Sequence, residues 1–191
     1  MVPKMSAKKL PTPAEIDYQE EMQFAQRVLD GTPLSQYKYY KDYLSTINAE
    51  RAWADEGAGL VIGSGPMPLS QILGDYMLGI DISLEAVEMA NRVIKAISFE
   101  GKVLNIAAEE YIGYEDFDRI LLTLEAGVTV KRKKKILDVI HSQMNRDAIL
   151  IVRSSLTKQF VNSEKLFENF DVINSIDIFC GLSKSFILKR K

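Results

Sequence analysis

Cysteine and histidine are nearly absent from this chain, which holds one of each among its 191 residues. The single cysteine, Cys180, excludes an intrachain disulfide framework and any metal site built on several thiolates. The single histidine, His141, excludes a histidine-rich zinc or iron centre, and a Ser-His-Asp triad would have to use it. We therefore expect no metal site.

An excess of charge of one sign is also lacking, because 24 basic residues face 26 acidic ones and the net charge is −2. Nucleic-acid binders usually carry a basic excess, so no nucleic-acid partner is expected. The basic run Lys131–Lys135 begins a predicted helix, where cations oppose the helix dipole, and we interpret it as a solvated face.

Long hydrophobic runs are missing as well. No segment approaches the roughly 18 apolar residues that span a bilayer. The first nine residues have no apolar run behind their lysines, as a signal peptide would. A cytoplasmic protein without a membrane partner is expected, and the sequence leaves its oligomeric state open.

Apolar residues make up 47% of the chain, which is enough for a sizeable core. Residues 1–12 are expected to form a flexible lead-in because prolines and lysines dominate them. Residues 13–56 are expected to form a helical extension, with helices over 13–29 and 34–53. Residues 57–191 are expected to form the main domain.

Strand-like and helix-like segments alternate in this main domain. The predicted strands are 60–62, 77–82, 102–107, 117–123, 148–153, 172–179 and 185–189. The predicted helices start at 66 or 67, and cover 84–97, a weak turn near 109–111, 130–144 and 160–170. Such alternation indicates βαβ units and a parallel sheet, whereas the short connection between the last two strands requires antiparallel pairing. The pattern predicts a Rossmann-like α/β fold of the class I methyltransferase type, with a mostly parallel seven-stranded sheet that ends in an antiparallel hairpin.

The first predicted strand ends in Gly63, Ser64, Gly65 and Pro66. Gly63 suits a tight turn, and Gly65 lets a ligand approach the backbone. The third glycine of the dinucleotide fingerprint is absent, since Pro68 stands in its place. The loop therefore favours S-adenosylmethionine (SAM), which has no phosphate, and disfavours an NAD(P) oxidoreductase.

Asp81 ends the second predicted strand, 81 − 63 = 18 residues after Gly63. A carboxylate at this place can accept hydrogen bonds from both ribose hydroxyls of an adenosyl group. Ile82 follows it and joins the predicted cofactor site. Residues at the ends of the next two strands are expected near the adenine or below the sulfonium: Ala108, Glu109, Leu124 and Glu125.

The loop Gly63–Ser70 resembles the glycine loop of nicotianamine synthases, in which Gly-x-Gly-Pro is followed by a second proline two residues on. Upstream, Tyr37–Leu44 and the later Glu50 resemble the aromatic helix of that family. The segments 121–128 and 151–155 are similar to the family's segments after the fourth and fifth strands. The resemblance runs from Tyr37 to the C-terminus, and the helical region before the loop is shorter than in the family.

The resemblance implies a transferase that uses SAM as the donor of its 3-amino-3-carboxypropyl group and releases methylthioadenosine. The acceptor it implies is a small amine or an amino acid. By position in the aromatic motif, Tyr40 is the first candidate catalytic residue, Tyr39 the next, and Glu50 a support. Arg153 and Glu125 are the candidates for binding the substrate. A SAM-dependent small-molecule methyltransferase, or a non-catalytic SAM-binding or scaffold protein, remain the alternatives.

Overall fold

A computed structural model describes residues 13–54, 57–124, 126, 129–155, 163–179 and 183–191. The expected lead-in over 1–12, the candidate substrate residue Glu125 and the lone Cys180 lie outside these described residues.

Seven strands form one sheet in the order β3-β2-β1-β4-β5-β7-β6. The first five strands pair in parallel. Strand β7 pairs antiparallel with both β5 and β6. The strands are β1 Gly59–Ile62, β2 Leu78–Asp81, β3 Lys102–Asn105, β4 Arg119–Leu122, β5 Ile149–Ser155, β6 Phe170–Ile178 and β7 Ser183–Arg190. The predicted mostly parallel sheet with a C-terminal antiparallel pair is confirmed.

Six α-helices are described, and the first two precede the first strand. They are α1 Pro13–Leu29, α2 Tyr40–Arg51, α3 Leu69–Gly74, α4 Leu84–Ala96, α5 Val130–Gln143 and α6 Ser163–Leu166. Helix α1 packs on α4, and α2 packs on α3, so the extension lies against the two helices that follow β1 and β2. No helix in the described part of the chain combines the length and apolar character needed to cross a membrane.

The expected helix over 34–53 is interrupted. A short 3₁₀ helix covers Leu34–Gln36, and Tyr37 then adopts an extended backbone before α2 begins at Tyr40. The ring of Tyr37 packs against Phe24 of α1, with ring centroids 4.8 Å apart. Burial of this ring against α1 accompanies the break, which sequence periodicity alone does not reveal.

Two other expected helices also differ from the structure. The helix expected from 66 or 67 begins at Leu69, because a residue that precedes proline is disfavoured in the helical region and Met67 precedes Pro68. The weak helix expected near 109–111 is a single turn. It ends before Gly113, which has a φ of 108°.

The basic run is not a purely solvated face, so that interpretation is wrong at Lys133. This side chain is only 1% exposed, and its ammonium donates to the carbonyl oxygens of Leu124 and Arg153 at 3.3 Å each. Arg132 and Lys134 form ion pairs with carboxylates of this chain. Three of the five cations thus bind groups of this chain.

The central strands alternate between the two faces of the sheet. Leu60, Ile62 and Leu122 belong to the larger apolar cluster, which includes α5, whereas Val61 and Leu121 point to the opposite face. The carboxyl ends of parallel strands meet at one edge of the sheet, so the residues that end β1, β2, β4 and β5 lie together there. This edge is where a ligand site is expected.

Candidate active site

A cavity of about 590 Å³ opens at this edge of the sheet. Its volume falls in the range typical of small-molecule sites. All nine residues predicted to bind the cofactor line it: Gly63, Ser64, Gly65, Pro66, Asp81, Ile82, Ala108, Glu109 and Leu124. The sequence motifs, spread over more than 60 residues of the chain, therefore meet in one cavity.

The glycine loop has the backbone conformation that its sequence predicts. Gly63 and Gly65 adopt φ values of 77° and 67°, in the left-handed region that favours glycine. The backbone N–H of Gly63 donates to the carbonyl of Ile80 at 2.9 Å. The hydroxyl of Thr123 lies 3.0 Å from the carbonyl oxygen of Ile62 and 2.9 Å from that of Gly63. The loop is thereby held to both neighbouring strands, β2 and β4.

Replacing Gly63 with alanine is expected to destabilise the protein and weaken SAM binding. A left-handed conformation costs a non-glycine residue about 1–2 kcal/mol. In addition, the new Cβ would lie 2.6 Å from Thr123 Oγ1 and 2.9 Å from Ala126 Cβ. Gly31→Ala is the matched control, because φ there is +95° but no atom of the other described residues beyond its chain neighbours lies within 4 Å of the added Cβ. Thermal unfolding and calorimetry with SAM measure both effects, and equal losses in the two variants would contradict a steric role for the loop.

Asp81 lies directly against the glycine loop. Its Oδ2 accepts a hydrogen bond from the backbone N–H of Gly65, and its Oδ1 accepts one from that of Ser83, both at 2.9 Å. Ser83 in turn caps α4, since its hydroxyl accepts from the N–H of Ala86 at 3.2 Å. An ionised carboxylate has about four acceptor positions, so Asp81 keeps capacity for ligand hydroxyls.

Helix α1 contributes a cavity wall that the sequence analysis missed. Asp17, Tyr18 and Glu21 line the cavity. The hydroxyl of Tyr18 donates to Glu85 at 3.3 Å and lies 3.4 Å from the hydroxyl of Ser83. Burial raises the pKa of Tyr18, so its hydroxyl stays protonated. These residues reach the site because α1 packs on α4, a tertiary contact that no local pattern signals.

Glu109 is held in an ion pair at the adenine side of the predicted site. Arg132 Nε donates to its Oε1 at 2.9 Å, and both residues line the cavity. This hydrogen bond is the main cause that lowers the pKa of Glu109. The carboxylate is therefore ionised and fixed in direction.

Replacing Arg132 with methionine is expected to raise the pKa of Glu109 toward its ordinary value of about 4.3. In the wild type, the pair stabilises the folded protein at pH values above the ordinary pKa of Glu109. This contribution is lost as the pH falls through the lower pKa that Glu109 has in the folded protein. Carboxyl carbon shifts in an NMR titration measure the change. Lys134→Met on the same helix is the control, since Lys134 pairs with Glu168 and Asp138 instead. An unchanged Glu109 pKa in the Arg132 variant would rule out the pair as its cause.

Aromatic rings form another part of the cavity wall. Tyr37, Tyr39, Tyr43 and Phe179 line the cavity. The ring of Tyr43 meets that of Phe179 edge-on at 5.3 Å and lies 6.5 Å from that of Tyr37. Burial and then the charge of Glu21 raise the pKa of Tyr37 strongly, so its hydroxyl stays protonated.

Tyr40, the first candidate for catalysis, has a different environment from Tyr39. Its partly buried ring packs against the apolar cluster that contains Phe24 and Met67. It is not among the described residues that line the cavity, whereas Tyr39 and Tyr43 are. The geometry therefore favours Tyr43 and Tyr39 over Tyr40 for contact with a substrate.

Arg153 and Glu50, both candidates from the sequence, are bound to each other. Arg153 Nε and Nη2 donate to the two carboxylate oxygens of Glu50 at 2.9 and 2.7 Å. Glu50 thus occupies a bidentate position on the guanidinium that a substrate carboxylate could otherwise use. Arg153 lines the cavity, whereas Glu50 is not among the described residues that do so.

The model of the nicotianamine synthase protein family matches residues 12–191, which is nearly the whole chain. The chain belongs to the nicotianamine synthase family. Comparison with curated protein sequences finds no significant match.

Solved structures of MtNAS share the fold of this nicotianamine synthase family member. A MtNAS mutant in complex with S-adenosylmethionine superposes with a TM-score of 0.79 at 18% identity, covering 93% of this chain and 74% of the other. MtNAS in complex with MTA and tNA gives a TM-score of 0.77 at 18% identity, covering 93% and 72%. Magnesium protoporphyrin IX methyltransferase from Synechocystis PCC 6803, with bound SAM, gives 0.67 at 15% identity, covering 97% and 100%. These likenesses confirm the predicted methyltransferase-type fold.

Proposed function

We propose that this member of the nicotianamine synthase family is a SAM-dependent transferase that moves the 3-amino-3-carboxypropyl group to a small amine or amino-acid acceptor. The observation that carries the proposal is that the glycine loop, Asp81 and tyrosines of the N-terminal extension line one cavity. MtNAS, which shares the fold, has been solved with S-adenosylmethionine and with MTA and tNA.

The residues at the sheet edge fit an adenosyl ligand. The absence of a side chain at Gly65 lets a ligand approach its backbone, and an added Cβ there would lie 2.9 Å from Oε2 of Glu21. Asp81 would accept hydrogen bonds from the ribose hydroxyls. Ile82, Ala108 and Glu109 would contact the adenine. The other predicted cofactor residues would contact the methionine part of SAM: Gly63, Ser64, Pro66 and Leu124.

When bound, SAM supplies a sulfonium, which leaves as a neutral thioether without protonation. The amine lone pair of the acceptor forms the new bond to the γ-carbon, the bond from this carbon to sulfur breaks, and sulfur keeps its electron pair. The protein must orient the acceptor in line and remove a proton from its nitrogen.

The cavity offers groups for both of these tasks. The carboxylates of Glu21 and Asp42 line it and can accept the proton of the acceptor amine. The hydroxyls of Tyr43 and Tyr39 can orient that amine by accepting a hydrogen bond from it. Arg153 can donate to an oxygen of the substrate. Glu125, which lies outside the described residues, stays a prediction for the same half of the site.

Product analysis after incubation with SAM and a panel of small amines and amino acids tests the proposal. Release of methylthioadenosine, together with an acceptor enlarged by an aminocarboxypropyl group, is the expected result. S-adenosylhomocysteine and a methylated acceptor would instead assign methyl transfer, and release of neither would leave a non-catalytic protein. Replacement of SAM by S-adenosylhomocysteine is the control, because a compound without a sulfonium has no thioether leaving group.

A further inference from the structure

The ion pair of Glu50 and Arg153 is the most deeply buried ion pair among the described residues. Each side chain is 2% exposed, although the residues lie 103 positions apart in the chain. The pair joins α2 of the N-terminal extension to β5 of the sheet. Burial alone would lower the pKa of Arg153, but the charge and hydrogen bonds of Glu50 outweigh this and raise it, so the guanidinium is charged.

Two serine hydroxyls complete the network. Ser185 of β7 donates to Glu50 Oε1 at 2.5 Å, and Arg153 Nη1 donates to the hydroxyl of Ser70 at 2.6 Å. Elements α2, α3, β5 and β7 therefore meet at one salt bridge. Such geometry fixes the plane of the guanidinium, because both ends of its fork are bound.

Only one member of the pair reaches the cavity. Arg153 lines it, and three of the five N–H groups of an arginine are used by Glu50 and Ser70. Its guanidinium carbon lies 5.9 Å from the centroid of the Tyr43 ring, which also lines the cavity. Glu50 binds two of the three guanidinium nitrogens of Arg153, so it fixes the direction of the remaining N–H groups.

We propose that Glu50 is a positioning residue that acts through Arg153, holding its remaining N–H groups toward the acceptor beside Tyr43. Glu50 itself does not touch the substrate. This inference rests on the proposed function, since it assigns Glu50 and Arg153 a role in the half of the same cavity that would hold the acceptor. The SAM half is built on Gly63, Gly65 and Asp81, and the pair adjoins it through Ser70.

A purely structural role makes a different prediction. Replacing a buried ion pair by apolar residues of similar volume is often neutral or stabilising, whereas removing one partner leaves a buried charge unpaired. If the pair only held the fold, the double variant Glu50→Leu/Arg153→Met would recover both stability and turnover. If the pair positions Arg153, the double variant recovers stability alone.

The experiment compares the wild type, Glu50→Gln, Arg153→Lys and the double variant. We expect the dissociation constant for SAM to change less than about threefold in all of them, and kcat/KM for the acceptor to fall at least about tenfold, which is 1.4 kcal/mol. Arg153→Lys keeps the positive charge but lacks the forked guanidinium. It therefore tests the orientation of the N–H groups even if the double variant fails to fold. Retained acceptor kcat/KM in Arg153→Lys, or in a folded double variant, overturns the inference.

The matched control is Arg119→Lys. Arg119 is also a buried arginine, but it donates to the carbonyls of Gly74 and Asp75 and is not among the described residues that line the cavity. We expect a lower melting temperature and an unchanged KM for the acceptor. If the wild type releases S-adenosylhomocysteine, the proposed function fails while acceptor kcat/KM still tests the pair. If the wild type turns over no SAM at all, both fail.

Discussion

Replacing Asp81 with asparagine is expected to weaken SAM binding by about 10- to 150-fold, since hydrogen bonds to a charged group contribute about 1.5–3 kcal/mol. The loss has two causes. The ribose hydroxyls lose an ionised acceptor, and one of the backbone N–H groups of Gly65 and Ser83 then faces the amide NH₂ instead of an oxygen. The substitution therefore disturbs the loop as well as the ligand contact.

Isothermal calorimetry with SAM measures this effect directly. Asp118→Asn is the matched control, because its carboxylate also accepts a backbone N–H, that of Ala58 at 2.8 Å, but Asp118 precedes β4 at the opposite edge of the sheet. We expect the control to bind SAM like the wild type. An unchanged dissociation constant in Asp81→Asn would remove the ribose contact from the proposed function.

Replacing Tyr43 with phenylalanine is expected to lower kcat by about 100-fold, at the low end of what a positioned proton-transfer or hydrogen-bonding group contributes. The ring contacts with Phe179 and Arg153 persist in this variant because only the hydroxyl is removed. SAM affinity should stay the same. Single-turnover rates with saturating SAM and acceptor measure the change.

Two further variants are needed to interpret the kcat of Tyr43→Phe. Tyr111→Phe is the control, because Tyr111 belongs to the apolar cluster under the sheet and is not among the described residues that line the cavity. Tyr40→Phe decides between the two assignments. A large loss of kcat in Tyr40→Phe and none in Tyr43→Phe would support the assignment made from sequence position and contradict the one made from geometry.

The architecture was predictable because local sequence patterns determine it. Alternating strand and helix patterns require a parallel sheet, and the short last connection requires an antiparallel pair. The glycines of the loop and Asp81 were also predictable, since strand ends carry the ligand contacts in such folds. The resemblance of the loop and the aromatic motif to nicotianamine synthases was predictive too, since the model of that family matches residues 12–191.

The acceptor side of the cavity was less predictable because contacts between segments far apart in the sequence determine it. Tyr37, Tyr40 and Tyr43 recur at steps of three, so any of them fits a helical stripe. Which ring faces the cavity depends on the break at Tyr37 and on the packing of α1. The pairing of Arg153 with Glu50 and the burial of Lys133 likewise join segments far apart in sequence, where periodicity gives no signal.

Strand β7 lies between β5 and β6 in the sheet, and its Ser185 bonds to Glu50, 135 residues earlier in the chain. Ribosomes make the N-terminal part first, at about 5–20 residues per second, so α2 emerges several seconds before its partner strand. The sheet beside Arg153 closes only when the last strand has been made. A nascent chain therefore has its glycine loop before the wall beside Arg153 is complete.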